Sequence, residues 1–253
     1  MNRLRLVLAF LLLLTACKAR LSVSQMQGGT MPNEPTQAAV DSAMLTFIQP
    51  YREELEREMG EVIILSAEEM RREMPESKLT NCLADMFLEN MRQLGGKLDP
   101  AVYPDMAYIN YHSLRTNFPA GELSLAKLYE MFPFENQVVY LQISGENMWK
   151  FAEITAKRGG DVIAGARLVI DAQGGVSELE LGGRPFDKNK TYWIVTSDYV
   201  ANGGDNMTMF LNPIRRVETD FKVRDSFIDY MREEHAAGRM LSGELDGRIR
   251  HEQ

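Results

Sequence analysis

The chain has 253 residues, 45% of them hydrophobic, with 36 acidic against 28 basic side chains and a formal net charge of −8. An acidic chain without a basic stripe has no electrostatic footprint for nucleic-acid polymers, which excludes them as partners but leaves room for small anions held by local cations. The hydrophobic content suffices for a normal core, and the length beyond residue 35, about 215 residues, fits one domain.

In chain order, the first 16 residues read as a targeting segment. Arg3 and Arg5 give a basic start, and residues 6–14 form an apolar stretch too short to span a bilayer. It runs into Leu14-Thr15-Ala16-Cys17, which resembles a bacterial lipobox. Cys17 is then the expected lipidation site and first mature residue, tethering the protein to a membrane without a spanning helix. The alternative is an ordinary cleaved signal peptide with a cysteine near its end. Cleavage removes two Arg and no acids, leaving 26 basic against 36 acidic residues, a net charge of −10. The expected location is the bacterial cell envelope, on its periplasm-facing side or at the cell surface. With Cys17 acylated, Cys82 has no partner for an intrachain disulfide and reads as a small buried residue of a helix. Residues 17–35, rich in Ser, Gln, Gly, Thr and Pro, read as a flexible tether, and residues 36–253 as the folded domain.

Thr36 is a candidate cap for a helix through Val40, Met44, Phe47 and Ile48, which Pro50 should kink or end. Residues 51–59 continue as a charged helix up to Gly60. Residues 61–66 predict a strand. Leu79, Leu83, Met86, Phe87 and Met91 predict an amphipathic helix over 77–94, ended by Gly95-Gly96, with Asp85 organising nearby loops. Strands follow at 105–110 and 137–143. Helices follow at 124–131, capped by Ser124, and at 146–157, closed by Gly159-Gly160. Residues 166–171 and 176–181 predict a hairpin turning at Gly174-Gly175. Residues 192–196 read as the last core strand and 223–237 as a final helix. This mixture predicts an α/β (α+β) fold, a mixed sheet with flanking helices.

The stretch that organises the rest is 192–205, YWIVTSDYVANGGD. Its strand formers end on Gly203 and Gly204, which permit a sharp turn and present Asp205 at a loop edge. With 105–115 (DMAYINYHSLR) and 131–136 (MFPFEN), it offers two aromatics (Phe134 and Tyr199), one cation (Arg115), one amide (Asn110) and one carboxylate (Asp205). That set suits a flat ring bearing hydroxyls or phosphate. Each residue also has an ordinary reading: a core Phe134, an edge-strand Tyr199, an Arg115 paired with a surface acid, an Asp205 or Asn110 that merely makes a turn. The three histidines, His112, His235 and His251, are scattered, too few and too far apart for a dinuclear metal hydrolase. The Gly-x-Ser-x-Gly elbow, the Walker loop and the dinucleotide glycine fingerprint are absent. No catalytic residue and no metal ligand is assigned, and the residues describe a binding domain rather than a complete catalyst.

Four motifs occur in order: Glu76-Ser77-Lys78-Leu79-Thr80-Asn81 with Ala84-Asp85, then residues 110–115, then Pro133-Phe134-Glu135-Asn136, then Asn202-Gly203-Gly204-Asp205. With the Leu141-to-Gly145 strand-to-helix turn and the Gly183-Arg184-Pro185-Phe186-Asp187 hairpin, they resemble the C-terminal domain of the 5'-nucleotidase family over roughly residues 61–211. The resemblance implies nucleoside recognition. Phe134 and Tyr199 take the places of the ring-clamping aromatics, where Phe is usual at the second. Arg115 and Asn110 end and begin the family's Asn-Gly-Gly-Gly-Ile-Arg loop, and Asp205 takes the place of the acceptor for ribose hydroxyls. It also implies that hydrolysis belongs to a metallophosphoesterase domain holding two divalent metals, which this sequence lacks. A separately encoded metallophosphoesterase is therefore the expected partner, with no cofactor on this chain. There are departures. Tyr111, His112 and Ser113 replace the three glycines, Thr80 replaces a Gly, Asn206 replaces the Gly after the Asp, and Arg71 and Arg72 fall out of register with the family's arginines. They leave open an alternative, a non-catalytic interaction or structural lipoprotein of the same fold.

Overall fold

A computed structural model describes Met26, Gly28, Gly29 and residues 41–252. The expected leader 1–16, Cys17, the tether apart from those three residues and the Thr36 cap lie outside the described residues. The chain divides into two compact units, 1–47 and 48–253. Helix α1 (Ser42–Met59) buries none of its residues, and the Asp41 carboxylate caps it by accepting from the backbone N–H groups of Ala43 and Met44 at 3.0 and 3.1 Å. Pro50 does not end this helix but sits inside it. Its missing N–H orphans one carbonyl a turn earlier, and on an exposed helix water can satisfy that oxygen. No helix among the described residues is long and apolar enough to cross a membrane.

In the second unit strands and helices are interspersed. They are β1 (Val62–Ser66), α2 (Lys78–Leu98), β2 (Met106–Ile109), β3 (Gly121–Ser124), α3 (Leu125–Met131), β4 (Gln137–Ser144) and α4 (Gly145–Lys157). Next come β5 (Val162–Ala164), β6 (Ala166–Ile170), β7 (Val176–Leu181), β8 (Arg184–Pro185), β9 (Thr191–Ser197) and the short α5 (Asp198–Ala201). The chain closes with β10 (Arg215–Lys222), α6 (Val223–Ala236) and β11 (Ile249–His251). The central five-stranded sheet runs β10-β4-β9-β2-β5, antiparallel except for the parallel β2–β9 pair. A four-stranded sheet runs β11-β6-β7-β8, and β1 pairs with β3. The expected mixed α/β architecture is what forms.

The central sheet is buried on both faces, and the two-residue period of a strand divides its side chains between two cores. Val138 and Tyr140 of β4 join Ala107 and Ile109 of β2 in a core with α2 and α6. Val139, Leu141 and Ile143 join Met106 and Tyr108 in a second core with α4 and the four-stranded sheet. The Ser77 cap opens α2 through a capping box in which Thr80 supplies the return bond, so this departure from the family's glycine has a structural use.

Two expectations on elements are corrected. Gly95-Gly96 does not end α2, which runs to Leu98. Gly95 is instead a packing residue, since a Cβ there would lie 2.9 Å from the Val102 carbonyl oxygen and 3.2 Å from the Tyr140 ring. Residues 192–196 are not the last core strand, because β10 follows on the edge of the same sheet and β11 on the smaller one. The segment after α6 also carries a buried cation that the sequence reading did not single out. Arg248 is buried, with Asp85 oxygens at 2.7 and 2.8 Å and the Ile163 carbonyl at 3.1 Å. Glu76 accepts from the Gly247 and Arg248 N–H groups. Asp85 thus does organise a neighbouring segment, one contributed from 163 residues downstream.

Candidate functional site

The site lies at the ends of β2 and β9, where the chain leaves the buried sheet. β2 ends at Ile109, and the next residue, Asn110, is buried at the mouth of a loop. Its side-chain amide donates to Asp205 Oδ2 at 2.8 Å. β9 leads through the Ser197 cap into α5, whose first turn carries Tyr199. The Tyr199 hydroxyl donates to Asp205 Oδ1 at 3.0 Å, an acceptor that holds the phenol proton more tightly and raises its pKa. Asn110, Tyr199 and Asp205 therefore form one hydrogen-bonded trio drawn from two loops 95 residues apart.

The turn that makes this possible uses its glycines in two ways. Gly203 has φ 84°, in the left-handed region. Gly204 lets backbone pass the Tyr199 ring, since a Cβ there would lie 2.5 Å from the ring's Cε1. Asp205 and Asn206 follow with φ 51° and 60°, the only non-glycine residues with positive φ among those described. A left-handed Asp bonded through both carboxylate oxygens marks a backbone held by its surroundings.

Phe134 is 48% exposed and Tyr199 45% exposed, so each offers a bare ring face. The Arg115 guanidinium lies over the Phe134 ring, 5.8 Å from its centroid, and donates to the His112 carbonyl at 3.3 Å. Asn110, Phe134 and Asn136 border one cavity, floored by Phe87, Ile109 and Phe132. Inside it the water-accessible space is only about 20 Å³, room for roughly one water. The cavity itself therefore has no room for an aromatic ring. The structure thus connects all five sequence-chosen residues: Arg115 touches Phe134, Phe134 shares a cavity with Asn110, and Asn110 meets Asp205 and Tyr199. Phe134 is not a core aromatic, and Tyr199 lies on a helical turn rather than an edge strand.

The residues that replace the family's glycines occupy ordinary backbone angles. Tyr111–Ser113 is a 3-10 turn, and the Ser113 hydroxyl donates to the Asn110 carbonyl at 2.7 Å. The Tyr111 ring packs against the core and under the guanidinium of Arg72, 5.0 Å from the centroid. Arg72 also donates to the Leu114 carbonyl. A cation out of sequence register with the family's arginines thus reaches the same loop. Glu135 pairs with Lys222 at 2.9 Å and with buried Arg224 at 3.4 Å, fastening the Phe134 loop to α6.

Two residues escaped the sequence reading. Asp161, 4% exposed, accepts from the Tyr111 N–H at 2.8 Å and the Tyr108 hydroxyl at 3.0 Å. Burial raises its carboxyl pKa against the lowering effect of these bonds. Arg158 donates to Asp161 at 3.2 Å and to the Asp205 carbonyl. Their only sequence signal is a cation and an acid bracketing Gly159-Gly160, which reads as a plain helix stop. Among the described residues no group of three or more His, Cys, Asp or Glu side chains is placed to hold a metal ion.

The model of the 5'-nucleotidase C-terminal domain matches residues 58–212. A 5'-nucleotidase of Vibrio cholerae is 24% identical over 198 residues, 76% of this chain and 34% of that protein. The UshA protein of Yersinia enterocolitica is 31% identical over 106 residues, 40% of this chain and 19% of that one. A crystal structure of the 5'-nucleotidase precursor of Thermus thermophilus superimposes with a TM-score of 0.67 at 26% identity, covering 83% of this chain and 42% of that one. The chain thus spans a fifth to a third of the length of these curated relatives. The family model covers more than half of the chain and the fold superimposes, and the chain belongs to the 5'-nucleotidase C-terminal domain family.

Proposed function

We propose that this domain binds a nucleoside or nucleotide and presents it for phosphate-ester hydrolysis by a separately encoded metallophosphoesterase that holds two divalent metals. The single observation that carries the reading is the Asn110–Asp205–Tyr199 trio, whose Tyr199 is half-exposed, with half-exposed Phe134 bordering the same cavity as Asn110. A base lies against Phe134 and Tyr199, and stacking of this kind contributes about 1–3 kcal/mol per base. Asp205 accepts the ribose hydroxyls. Each of its oxygens already takes one internal donor, and a carboxylate has about four acceptor positions, so two remain. Arg115, with its guanidinium over Phe134, suits a bidentate contact with phosphate or with a base edge. Lipidation at Cys17 holds this module on the cell envelope, within reach of an envelope-located partner.

The test is hydrolysis of AMP by a metallophosphoesterase of the same organism, with this protein added. The expected result is a lower KM with the wild-type chain and no change with Asp205→Ala. A second reading, an interaction lipoprotein that has given up nucleotides, is favoured by one observation: Tyr111 fills a family glycine position with a ring packed inward. Wild-type protein that leaves the AMP kinetics unchanged and binds no nucleoside favours that second reading.

A further inference from the structure

The Arg158–Asp161 pair belongs to none of the motifs, yet it joins the two loops that carry the proposed ligand contacts. Asp161 opens the residues leading into β5 and is buried between that strand and the 110–115 loop. One of its oxygens accepts from the backbone N–H groups of Tyr111 and Val162 at 2.8 and 3.1 Å. The other accepts from the Tyr108 hydroxyl at 3.0 Å and Arg158 Nη1 at 3.2 Å. These four donors fix the carboxylate on every side. Arg158, so anchored, reaches across with its second terminal nitrogen to the Asp205 carbonyl oxygen. Asp205 has φ 51° and ψ 35°, and Asn206 φ 60°. Asp and Asn tolerate these angles better than other residues with a Cβ, and surrounding bonds select them here. Four bonds do so: Arg158 to the Asp205 carbonyl, Asn110 to its Oδ2, the Tyr199 hydroxyl to its Oδ1, and its own N–H to the Tyr199 hydroxyl oxygen at 3.3 Å. Arg158 supplies the one on the backbone carbonyl, and the only one of the four from outside the Asn110 and Tyr199 contacts.

Resting on the nucleoside reading, we infer that Arg158 is a positioning residue which, braced on Asp161, holds Asp205 in its left-handed turn and so sets the recognition of ribose hydroxyls. The pair also gives the Asn110 loop and the Asp205 loop a common anchor, since Asp161 holds the Tyr111 backbone and Arg158 the Asp205 backbone. Contact with the ligand is left to Asp205 itself.

The experiment titrates the full chain with adenosine and with 2',3'-dideoxyadenosine, in wild type, Arg158→Met and Arg158→Lys. Wild type should prefer adenosine by about tenfold or more, the value of at least one hydrogen bond to a charged acceptor. Arg158→Met should reduce that preference to under about threefold, while dideoxyadenosine, held by stacking, changes by less than about twofold. Arg158→Lys, which keeps a donor, should recover part of the preference. An undiminished preference in Arg158→Met overturns the inference. So does an equal loss for both ligands, the mark of general loosening. Amide hydrogen exchange on the unliganded chain separates this from the nucleoside reading. If neither ligand binds wild type, that reading fails, and residues 205–207 still decide the brace. Exchange there that is about tenfold faster in Arg158→Met upholds it, and unchanged protection overturns it.

Discussion

Gly204→Ala tests the turn on which the trio depends. The added methyl would lie 2.5 Å from Tyr199 Cε1, 2.6 Å from Cζ and 2.6 Å from the Tyr199 carbonyl oxygen. The ring can swing away, but the carbonyl belongs to the backbone, so α5 and the turn must also shift. Gly204 does not have a positive φ, so the substitution probes space and not backbone angle. Overpacking of this kind costs about 1–3 kcal/mol, which for a domain of this size lowers Tm by roughly 3–10 °C. The displaced ring loses its hydroxyl bond to Asp205 and its stacking face, so nucleoside affinity should fall by about 5- to 150-fold, the equivalent of about 1–3 kcal/mol. Thermal melting and calorimetric titration read the two effects. Gly96→Ala is the control. It lies inside α2 with no atom within 4 Å of a built Cβ, so it should raise stability by about 0.5–1 kcal/mol and leave binding alone. A Gly204→Ala protein with wild-type Tm and wild-type affinity would refute the close approach of Tyr199 to the turn.

Three further outcomes follow from the packing. Burial lifts the Cys82 thiol to about 12, so the native protein should resist a thiol reagent at pH 8 and react there after denaturation; prompt labelling of the folded chain at this residue contradicts the packing of α2. Arg248→Met removes the bonds to Asp85, Asp246 and the Ile163 carbonyl and should cost about 2–4 kcal/mol in denaturant unfolding, with Asp85→Asn milder because Asp246 still pairs with the guanidinium; equal effects would argue against a shared pair. Folded Asp161 has a pKa above its unfolded value of about 3.9, so the native state binds this proton more tightly, and its contribution to stability is lost as pH rises from about 4 through the folded pKa. Asp161→Asn should flatten that limb of the Tm-against-pH curve, and an unaltered limb contradicts the burial.

The sheet was legible because it is buried on both faces. The apolar runs of β4 and β9 need no partner to be recognised, and the Ser124 cap marks where β3 turns into α3. β10 was not legible. RRVETDFK has no fully buried residue, alternates charges, and becomes a strand only because β4 offers its backbone edge. β11 is three residues long and pairs with β6 from the far end of the chain. At Gly95 and Pro50 the residue chemistry signals a break, and the neighbourhood overrules it, through a tight contact with Tyr140 in one case and full exposure in the other. The site divides in the same way. Residues that present chemistry at the ends of strands, Asn110 and Asp205 among them, announce themselves by type and spacing. Arg158 and Asp161 act through a backbone carbonyl and a backbone N–H 47 and 50 residues away, and nothing in their own surroundings reveals those partners.

The most direct test of the central claim is a calorimetric titration of the purified protein with adenosine and AMP, comparing wild type with Tyr199→Ala and Phe134→Ala. Nucleoside recognition between the two rings predicts saturable binding to wild type, weakened about 5- to 150-fold by removal of either ring. Wild-type binding that survives the loss of both rings, or an absence of binding with and without a metallophosphoesterase present, would contradict it.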